Sequence, residues 1–260
     1  MLCTKKTQAI NFANLVGLVV AFFLAFPAQA KRLISLDPAT TELLIALDLD
    51  KYLVGIDKDS KNLKLSSKPV VTSSHTILNF EKIVSLKPDH VLGHDLGFLD
   101  LEPQFERFQI SHSLLPNQEI QDLKKNLASL AKKFKREERL KQMALDFKIS
   151  SSKRFKDKTF VFIVGYDPLF VAGRENFINE ALTKCGLSNK VESNDFVRWD
   201  RENFSKESPD FLFVVDTIDL KRLSQDLGSW LSNTEVISLN ADSWSRLSLK
   251  FLEAARELCE

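Results

Sequence analysis

Histidine and aspartate side chains are the first candidates for chemistry, because together they can hold a transition metal. His90 and His94 stand four residues apart in the segment HVLGHD, and Asp95 follows directly. Residues four apart in a strand face the same way. A metalloenzyme would need His94 and Asp95 to converge with His75, from an earlier loop. The alternative is that His90 packs inside the strand and His94 lies at the mouth of a ligand cleft.

Large aromatic residues form a second group of candidates. They stand in or beside predicted loops that follow strands, where a soluble protein seldom exposes large rings without a use. A cleft lined by such rings suits a flat, largely apolar ligand. The alternative is that they fill a seam between two parts of the fold. The residues concerned are Phe170, Phe196, Trp199 and Trp244.

Composition and motifs favour a binding protein over an enzyme or a nucleic-acid partner. The 260 residues are 44% hydrophobic and 27% charged, as in an ordinary globular protein. Lys and Arg number 36 against 35 Asp and Glu, so no basic surface indicates nucleic acid. The nucleophile elbow, the phosphate loop, the zinc-protease motif and the dinucleotide fingerprint are all missing from the sequence.

The first thirty residues have the pattern of an export signal. Lys5 and Lys6 precede an apolar run over 15–26, and small residues at Ala28 and Ala30 follow it. A charged start, a short apolar run and an A-x-A site are typical of a cleaved signal peptide. We expect residues 1–30 to be removed after Ala30 and the mature protein to be periplasmic. An uncleaved N-terminal anchor is the alternative.

Two cysteines remain once that leader is removed. Cys3 precedes the apolar run, so we do not expect a lipid anchor there. Cys185 and Cys259 would lie in an oxidising compartment, where one disulfide is the simple interpretation. Two buried free thiols are the alternative.

Short β-rich runs alternate with helical patterns along the chain, which favours parallel α/β layers. In LISLDPATT (33–41) an apolar run ends at Asp37-Pro38, where Asp37 can cap a helix that begins at Pro38. In IVGYDPLFVAG (163–173) the same pair recurs as Asp167-Pro168, and a helix is expected to follow.

A second repeated motif accompanies the first and in the same order. NFEKIVSLKPDHVL (79–92) and DRENFSKESPDFLFV (200–214) each predict a helix, a Pro-Asp turn and a strand. Glu81 and Glu202 each stand seven residues before the proline of that turn. We interpret the two halves as similar lobes whose strand ends open toward one cleft, where open α/β sheets bind ligands.

The stretch between the halves has helical periodicity, with apolar residues spaced three and four apart from Ile120 to Phe147. The sequence therefore predicts an α/β fold with two Rossmann-like lobes, one long connecting helix and a ligand cleft between the lobes. The predicted boundaries are an N-terminal lobe over 31–133, a backbone helix over 134–156 and a C-terminal lobe over 157–260.

Three stretches carry a family resemblance. RLISLDPATTELLIALDL, FEKIVSLKPDHVLG and VGYDPLFVAGRENFINEALTKCG resemble the periplasmic substrate-binding proteins of ABC importers that have a single backbone helix. That family carries cobalamin, haem and ferric siderophores. The similarity is greatest to its cobalamin-binding members, and it includes Phe170, Gly173 and Glu175 and the final Asp242, Trp244 and Arg246.

The resemblance implies a non-catalytic protein that delivers cobalamin or another corrinoid to a permease dimer with its ATPase, with haem or a ferric siderophore as the alternative ligand. It implies a monomer, a Cys185–Cys259 disulfide, and permease docking through Glu81 and Glu202. Histidines stand where cobalamin binders have cleft tryptophans, and an imidazole there could ligate the cobalt of an incomplete corrinoid or haem iron. The expected ligand-binding residues are His75, His94, Phe170, Phe196, Trp199, Asp242, Trp244 and Arg246.

Overall fold

The computed structural model describes residues 31–72, 77–206, 208–228 and 231–260. The predicted leader over 1–30, its cleavage after Ala30, and His75 lie outside these residues. The described chain folds as α/β, with two separate sheets flanked by helices. None of its described helices is long and apolar enough to cross a membrane.

The first sheet has four parallel strands in the order β2-β1-β3-β4. Both faces are covered, so its strands are nearly continuous apolar runs, as parallel sheets require. Its strands are β1 (Leu33–Ser35), β2 (Leu53–Gly55), β3 (His90–His94) and β4 (His112–Leu115). Its helices are α1 (Pro38–Ala46), α2 (Phe80–Ser85), α3 (Asp95–Phe98) and α4 (Glu102–Arg107), with 3₁₀ turns at Asp50–Tyr52, Asp59–Leu63 and Leu99–Leu101.

The second sheet has six strands, with the main path β10-β9-β5-β6-β8 and β7 paired to β5. β9 lies between β5 and β10, is parallel to both, and is buried along its whole length. The strands are β5 (Lys158–Tyr166), β6 (Leu169–Val171), β7 (Leu187–Asn189), β8 (Val197–Arg198), β9 (Phe211–Val215) and β10 (Glu235–Leu239). The helices are α7 (Phe177–Lys184), α8 (Arg201–Lys206), α9 (Leu220–Leu227), α10 (Ala241–Trp244) and α11 (Leu249–Cys259).

The connection between the lobes differs from the prediction. Helix α5 (Ile120–Phe134) ends where Lys135 adopts a left-handed conformation, and α6 (Glu137–Gln142) is short. The helix predicted over 134–156 is therefore wrong for most of its length, because residues 143–150 are not helical. Apolar residues in this stretch also recur at every second position, which suits an extended chain. Those partly or fully buried residues are Met143, Leu145, Phe147 and Ile149.

The two Asp-Pro pairs have different structures. Asp37 caps α1 as predicted, since its side chain accepts a hydrogen bond from the Thr40 amide and Pro38 begins the helix. At Asp167-Pro168 the expected helix is wrong. This pair, with a cis peptide bond, turns the chain into β6, which runs antiparallel to β5. The next helix begins later, where Asn176 caps α7.

The two Pro-Asp turns, in contrast, are structurally equivalent. Asp89 precedes β3 and accepts a hydrogen bond from the Arg32 amide, at the start of β1, over 2.7 Å. Asp210 precedes β9 and accepts one from the Thr159 amide, at the start of β5, over 2.8 Å. Each aspartate therefore fixes one strand against the central strand of its lobe, and the repeated motif does correspond to a repeated element.

A disulfide joins Cys185, which ends α7, to Cys259, the last residue of α11, with Cα atoms 5.3 Å apart. The expected pairing is thus present. The two cysteines are 74 residues apart. In the chain-entropy model, closing a loop of that length contributes about 4 kcal/mol to stability.

His90 is a packed histidine at the start of β3, at the opposite end of the strand from His94. Its Nδ1 lies 2.7 Å from Ser111 Oγ, and its Nε2 lies 2.9 Å from Ser113 Oγ and 2.8 Å from Lys133 Nζ. Lysine has only donors, so Nε2 accepts and Nδ1 carries the proton. Burial, followed by the charge of Lys133, lowers the pKa of His90 to about 4.

This histidine should make stability depend on pH. Because the pKa of His90 is lower in the folded state, the unfolded state binds more protons between pH 6.5 and 4, so stability falls as pH falls through that range. We expect the loss to reach about 3 kcal/mol. His90→Gln removes the titrating group, so its unfolding free energy should fall less steeply in urea titrations across these pH values. Parallel pH profiles for the two proteins would contradict this assignment.

Candidate functional site

A cavity of about 310 Å³ lies between the two lobes. The carboxyl ends of β1 and β3 supply one side of it through Asp37 and His94. The C-terminal lobe supplies the other side through Phe177, Ser245 and Arg246. The strand ends of the first sheet therefore open onto a cleft, as the sequence predicts.

The carboxylate of Asp37 holds the N-terminal side of this cleft together. Its Oδ1 accepts from the Thr40 amide over 2.8 Å, and its Oδ2 accepts from the Thr40 hydroxyl over 2.8 Å and the His94 amide over 2.9 Å. One side chain thus joins the end of β1, the first turn of α1 and the end of β3. It fixes the backbone from which the His94 ring projects.

Asp57 stabilises the adjacent part of the cleft wall, which carries Asp59. Its Oδ1 accepts from the amides of Asp59 and Ser60 over 2.8 and 3.0 Å, which sets the start of the 3₁₀ turn. Burial raises the pKa of Asp57, although hydrogen bonds from Ser60 oppose this effect. Asp59, which this turn carries, lines the cleft.

His94 lines the cleft with one ring nitrogen uncommitted. Its ring packs on Phe98, with centroids 5.4 Å apart, and against Gly97, where a Cβ atom would come within 3.0 Å of the ring. The Nδ1 atom is buried and has no hydrogen-bond partner among the described residues. A buried polar atom without a partner costs free energy, and Nδ1 can gain a partner in the cleft only if the imidazole ring rotates.

A second cavity, of about 320 Å³, continues the cleft on the C-terminal side. It shares Asn117, Phe177 and Ser245 with the first cavity. Trp244 and Phe162 form its buried wall, with ring centroids 5.8 Å apart, while Phe196 is 44% exposed at its edge. The remaining lining residues are Gln118, Val164, Glu175, Asn176, Ile178, Asp195 and Val215.

The close approach of the chain at Gly173 brings Glu175, Asp195 and Phe196 to that edge of the second cavity. The amides of Arg174 and Glu175 donate to the carbonyls of Ser193 and Asn194, both over 2.9 Å. A Cβ atom on Gly173 would overlap the carbonyl oxygens of the 193–195 loop, so only glycine permits this approach. The resemblance singled out Gly173 by its motif, and this contact explains the residue type.

Arg246 is held by carboxylates on both sides of the cleft. Its guanidinium donates to Glu42 Oε1 from Nε over 3.1 Å and from Nη2 over 2.6 Å, and it also bonds Asp242. Burial alone would lower the pKa of Arg246, but the hydrogen bonds to Glu42 and Asp242 raise it. Asp242 is not among the residues that line either cavity, and it also accepts from Lys250.

The structure brings four of the predicted ligand-binding residues to the cleft and leaves three, Phe170, Trp199 and Asp242, outside its lining. His94 and Arg246 line the first cavity, and Phe196 and Trp244 line the second. Trp199 is buried edge-on against Phe204 and lines a separate cavity of about 280 Å³ beside the Asp167-Pro168 turn. Phe170 lies in β6, opposite Gly165 and Arg198, and is not among the residues lining the described cavities.

Sequence reasoning missed other lining residues. Asn117 stands two residues after the end of β4, so the rule that strand ends line the cleft could have found it. Phe177 begins α7 one residue after its Asn176 cap, and its ring meets Phe251 edge-on at 4.7 Å. No sequence signal separates a first-turn phenylalanine of this kind from an ordinary core residue.

The described residues contain no group of three or more His, Cys, Asp or Glu side chains placed to hold a metal ion. His94 and Asp95 are adjacent, at the junction of β3 and α3, while His75 lies outside the described residues. Among the residues that line the two cavities, His94 supplies the imidazole.

Gly173→Ala should destabilise the protein by about 1–3 kcal/mol, because the added methyl group overlaps backbone carbonyls that cannot move alone. Gly165→Ala is a matched control, since a Cβ atom there has its nearest neighbours at 3.7 and 3.9 Å. Urea unfolding of both variants measures the difference. Equal stabilities would mean that the 193–195 loop is not held as described.

Comparison with known proteins agrees with this architecture. A family model described as periplasmic binding protein matches residues 33–229. The chain is 29% identical over 254 residues to the vitamin B12-binding protein of Yersinia pestis (strain Pestoides F), covering 91% of this chain and 88% of the relative.

Two solved structures have the same fold. The periplasmic vitamin B12 binding protein BtuF of Vibrio cholerae has a TM-score of 0.68 at 20% identity, covering 88% of this chain and 95% of that one. The periplasmic heme binding protein HutB of Vibrio cholerae has a TM-score of 0.71 at 20% identity, covering 89% and 98%. With the family model matching most of its length, the chain belongs to the periplasmic binding protein family.

Proposed function

We propose that this chain is the exported substrate-binding component of an ABC importer, and that it binds cobalamin or a related corrinoid in the inter-lobe cleft. Family membership supports the class of protein, and the B12-binding relative supports the class of ligand. The leader over 1–30, cleaved after Ala30, is part of this proposal. The observation that supports a corrinoid as the ligand is the negative charge of the residues that line the cleft.

The cleft is acidic over its described lining. Four carboxylates line the two cavities, and Arg246 is the one cation among the lysines and arginines of that lining. The charge of Arg246 is already balanced by Glu42 and Asp242. Carboxylates repel anionic ligands and accept hydrogen bonds from neutral amides. The rim of a corrinoid carries neutral amides, whereas haem carries two propionates, so this lining favours the corrinoid. The four acidic residues are Asp37, Asp59, Glu175 and Asp195.

The position of His94 further restricts the class of corrinoid that we propose as the ligand. A neutral imidazole is a good ligand for cobalt or haem iron. Complete cobalamins carry their own nitrogen ligand on one axial position, whereas incomplete corrinoids leave that position to water. His94 lines the cleft, and a rotation of its ring would bring the unpartnered Nδ1 to the metal of a ligand there, which suits a corrinoid of the second kind.

The function is tested by titrating the protein with diaquocobinamide, cyanocobalamin and haemin, following both absorbance and tryptophan fluorescence. We expect diaquocobinamide to bind with a visible-band shift that indicates nitrogen ligation. His94→Ala should abolish that shift and weaken binding by roughly 1–3 kcal/mol, the scale of one buried hydrogen-bonding or ligating contact. Binding of cyanocobalamin, whose axial positions are filled, should change much less.

His112→Ala is the control, because His112 lies on β4 with its Nδ1 3.1 Å from the Ile110 carbonyl and is not among the lining residues. It should bind as the unmodified protein does. A shift that persists in His94→Ala would reduce His94 to a wall residue. Binding of haemin in preference to both corrinoids would contradict the proposed ligand.

Permease docking through Glu81 and Glu202 is also part of the proposal. Both side chains are exposed, near the start of α2 and of α8. The C-terminal end of α2 is fixed beside the start of β1, where Arg32 donates to the Leu86 and Lys87 carbonyls. The six residues of α2 extend about 9 Å from that fixed end toward the cleft end of the sheet. Because α8 precedes β9 as α2 precedes β3, we expect both carboxylates on the cleft-end surface of their lobes, which supports a shared docking role.

Two separated charges can orient a partner and speed encounter without burying much surface. Glu81→Ala combined with Glu202→Ala should therefore leave ligand affinity and melting temperature nearly unchanged, while uptake into cells or vesicles with the cognate permease falls at least tenfold. The control combines Glu138→Ala with Glu253→Ala, which are exposed acids on α6 and α11. Normal uptake by the Glu81/Glu202 variant would refute the docking role, and lost ligand binding would mean that these helices belong to the cleft.

A further inference from the structure

Four charged side chains form one cluster where the lobes meet. Arg246 lies between Glu42 and Asp242, and Lys250 donates to Asp242 over 2.5 Å and lies 3.6 Å from Glu42 Oε1. The two acids and the two bases balance in charge. We call Glu42, Asp242, Arg246 and Lys250 the inter-lobe ion cluster.

The cluster links the two lobes, which also share one hydrophobic core and the hydrogen bond from the Ile120 amide to Glu180 Oε2. Glu42 is on α1, which follows β1 in the first sheet, while the other three members come from α10, α11 and the residues between them. Trp244 anchors that second group in the C-terminal lobe, because its ring packs on Phe162 and Phe251 at 5.8 and 5.2 Å. The contact between Glu42 and Arg246 is therefore a charged contact between the lobes at the edge of the cleft.

Two of the four charged groups are well shielded from water. The side chains of Glu42 and Arg246 are only 8% and 18% exposed, whereas those of Asp242 and Lys250 are 52% and 44% exposed. A shielded ion pair loses much when one partner is removed, since the other charge stays buried without compensation. Losing one of the outer pair should matter less, because an exposed ion pair contributes little.

Arg246 also lines the cleft, whereas Glu42 is not among the lining residues of either cavity. Glu42 therefore acts on the cleft only through Arg246. Two hydrogen bonds to one carboxylate oxygen fix where the guanidinium lies on the cleft wall.

We propose that Glu42 is a positioning residue of the ligand cleft: acting from the N-terminal lobe, it holds the Arg246 guanidinium of the C-terminal lobe and thereby sets the spacing of the lobes and the affinity for the ligand. This proposal depends on the proposed function only for the identity of the ligand. The spacing of the lobes is a property of the unliganded protein and can be measured without any ligand.

The test compares Glu42→Gln with the unmodified protein and with Glu138→Gln, an exposed acid that pairs with Lys141. Nitroxide labels on Glu106→Cys and Glu253→Cys, exposed positions on α4 and α11, report the distance between the lobes by pulsed electron resonance. The native cysteines are joined in a disulfide and stay unlabelled. Binding of diaquocobinamide and cyanocobalamin is titrated on the same variants without labels.

Glu42→Gln should broaden the distance distribution and weaken corrinoid binding at least tenfold, while Glu138→Gln changes neither. Arg246→Lys keeps the charge but loses the two-bond contact, because lysine is a point donor. It should broaden the distribution in the same way, and it provides the measurement if Glu42→Gln fails to fold. Combining Glu42→Gln with Arg246→Gln should weaken binding no more than Arg246→Gln alone.

A Glu42→Gln protein with unchanged lobe distances and unchanged affinity would overturn the proposal. So would a double variant whose loss of affinity equals the sum of the two single losses, since independent residues add. If the unmodified protein binds neither corrinoid, the proposed function fails, yet the distance measurement still decides whether Glu42 spaces the lobes.

Discussion

The carboxylate of Asp37 is the constraint on which the N-terminal half of the cleft depends. A parallel sheet ends in several separate chain segments, and nothing in the sheet itself fixes those ends relative to one another. Asp37 does so with three hydrogen bonds, to the backbone and hydroxyl of Thr40 and to the backbone of His94. Since the carboxylate is almost fully buried, each bond has little competition from water. The cleft wall is therefore rigid at the point where His94 projects.

The second sheet reaches the cleft by other means. Its central strand β5 does not end in a helix cap but turns through Asp167-Pro168 into β6. Most of its lining groups come from the start of α7, from the 193–196 loop held against Gly173, and from α10 and the residues after it, while β5 and β9 add Phe162, Val164 and Val215. The two lobes thus share the arrangement of the strands next to their Pro-Asp turns. They differ at the surface that lines the cleft. Such asymmetry suits a ligand with two unlike faces.

Much of this could be predicted from local sequence. The Asn79 and Asp37 caps, the Pro-Asp turns and the buried strands all follow from residues within one or two turns of each other. The connecting segment was mispredicted because residues 143–149 satisfy a helical and an alternating pattern at once, and only packing decides between them. The contact between Glu42 and Arg246 joins residues 204 positions apart, so no local rule could reveal it. Phe170 and Trp199 were predicted at the cleft from their loops, but the antiparallel path of β6 and β8 puts Trp199 at a different cavity and Phe170 outside the described cavities.

The disulfide bears on the cleft as well as on stability. Cys185 and Cys259 stand at the C-terminal ends of α7 and α11. At the opposite ends of these helices stand Phe177, the first residue of α7, and Ser245 and Arg246, just before α11, all of which line the cleft. The covalent bond therefore keeps in register two helices whose other ends form one wall of the site. Reduction of this bond would leave the two helices held by packing alone, so the disulfide links the redox state of the protein to the shape of the cleft wall.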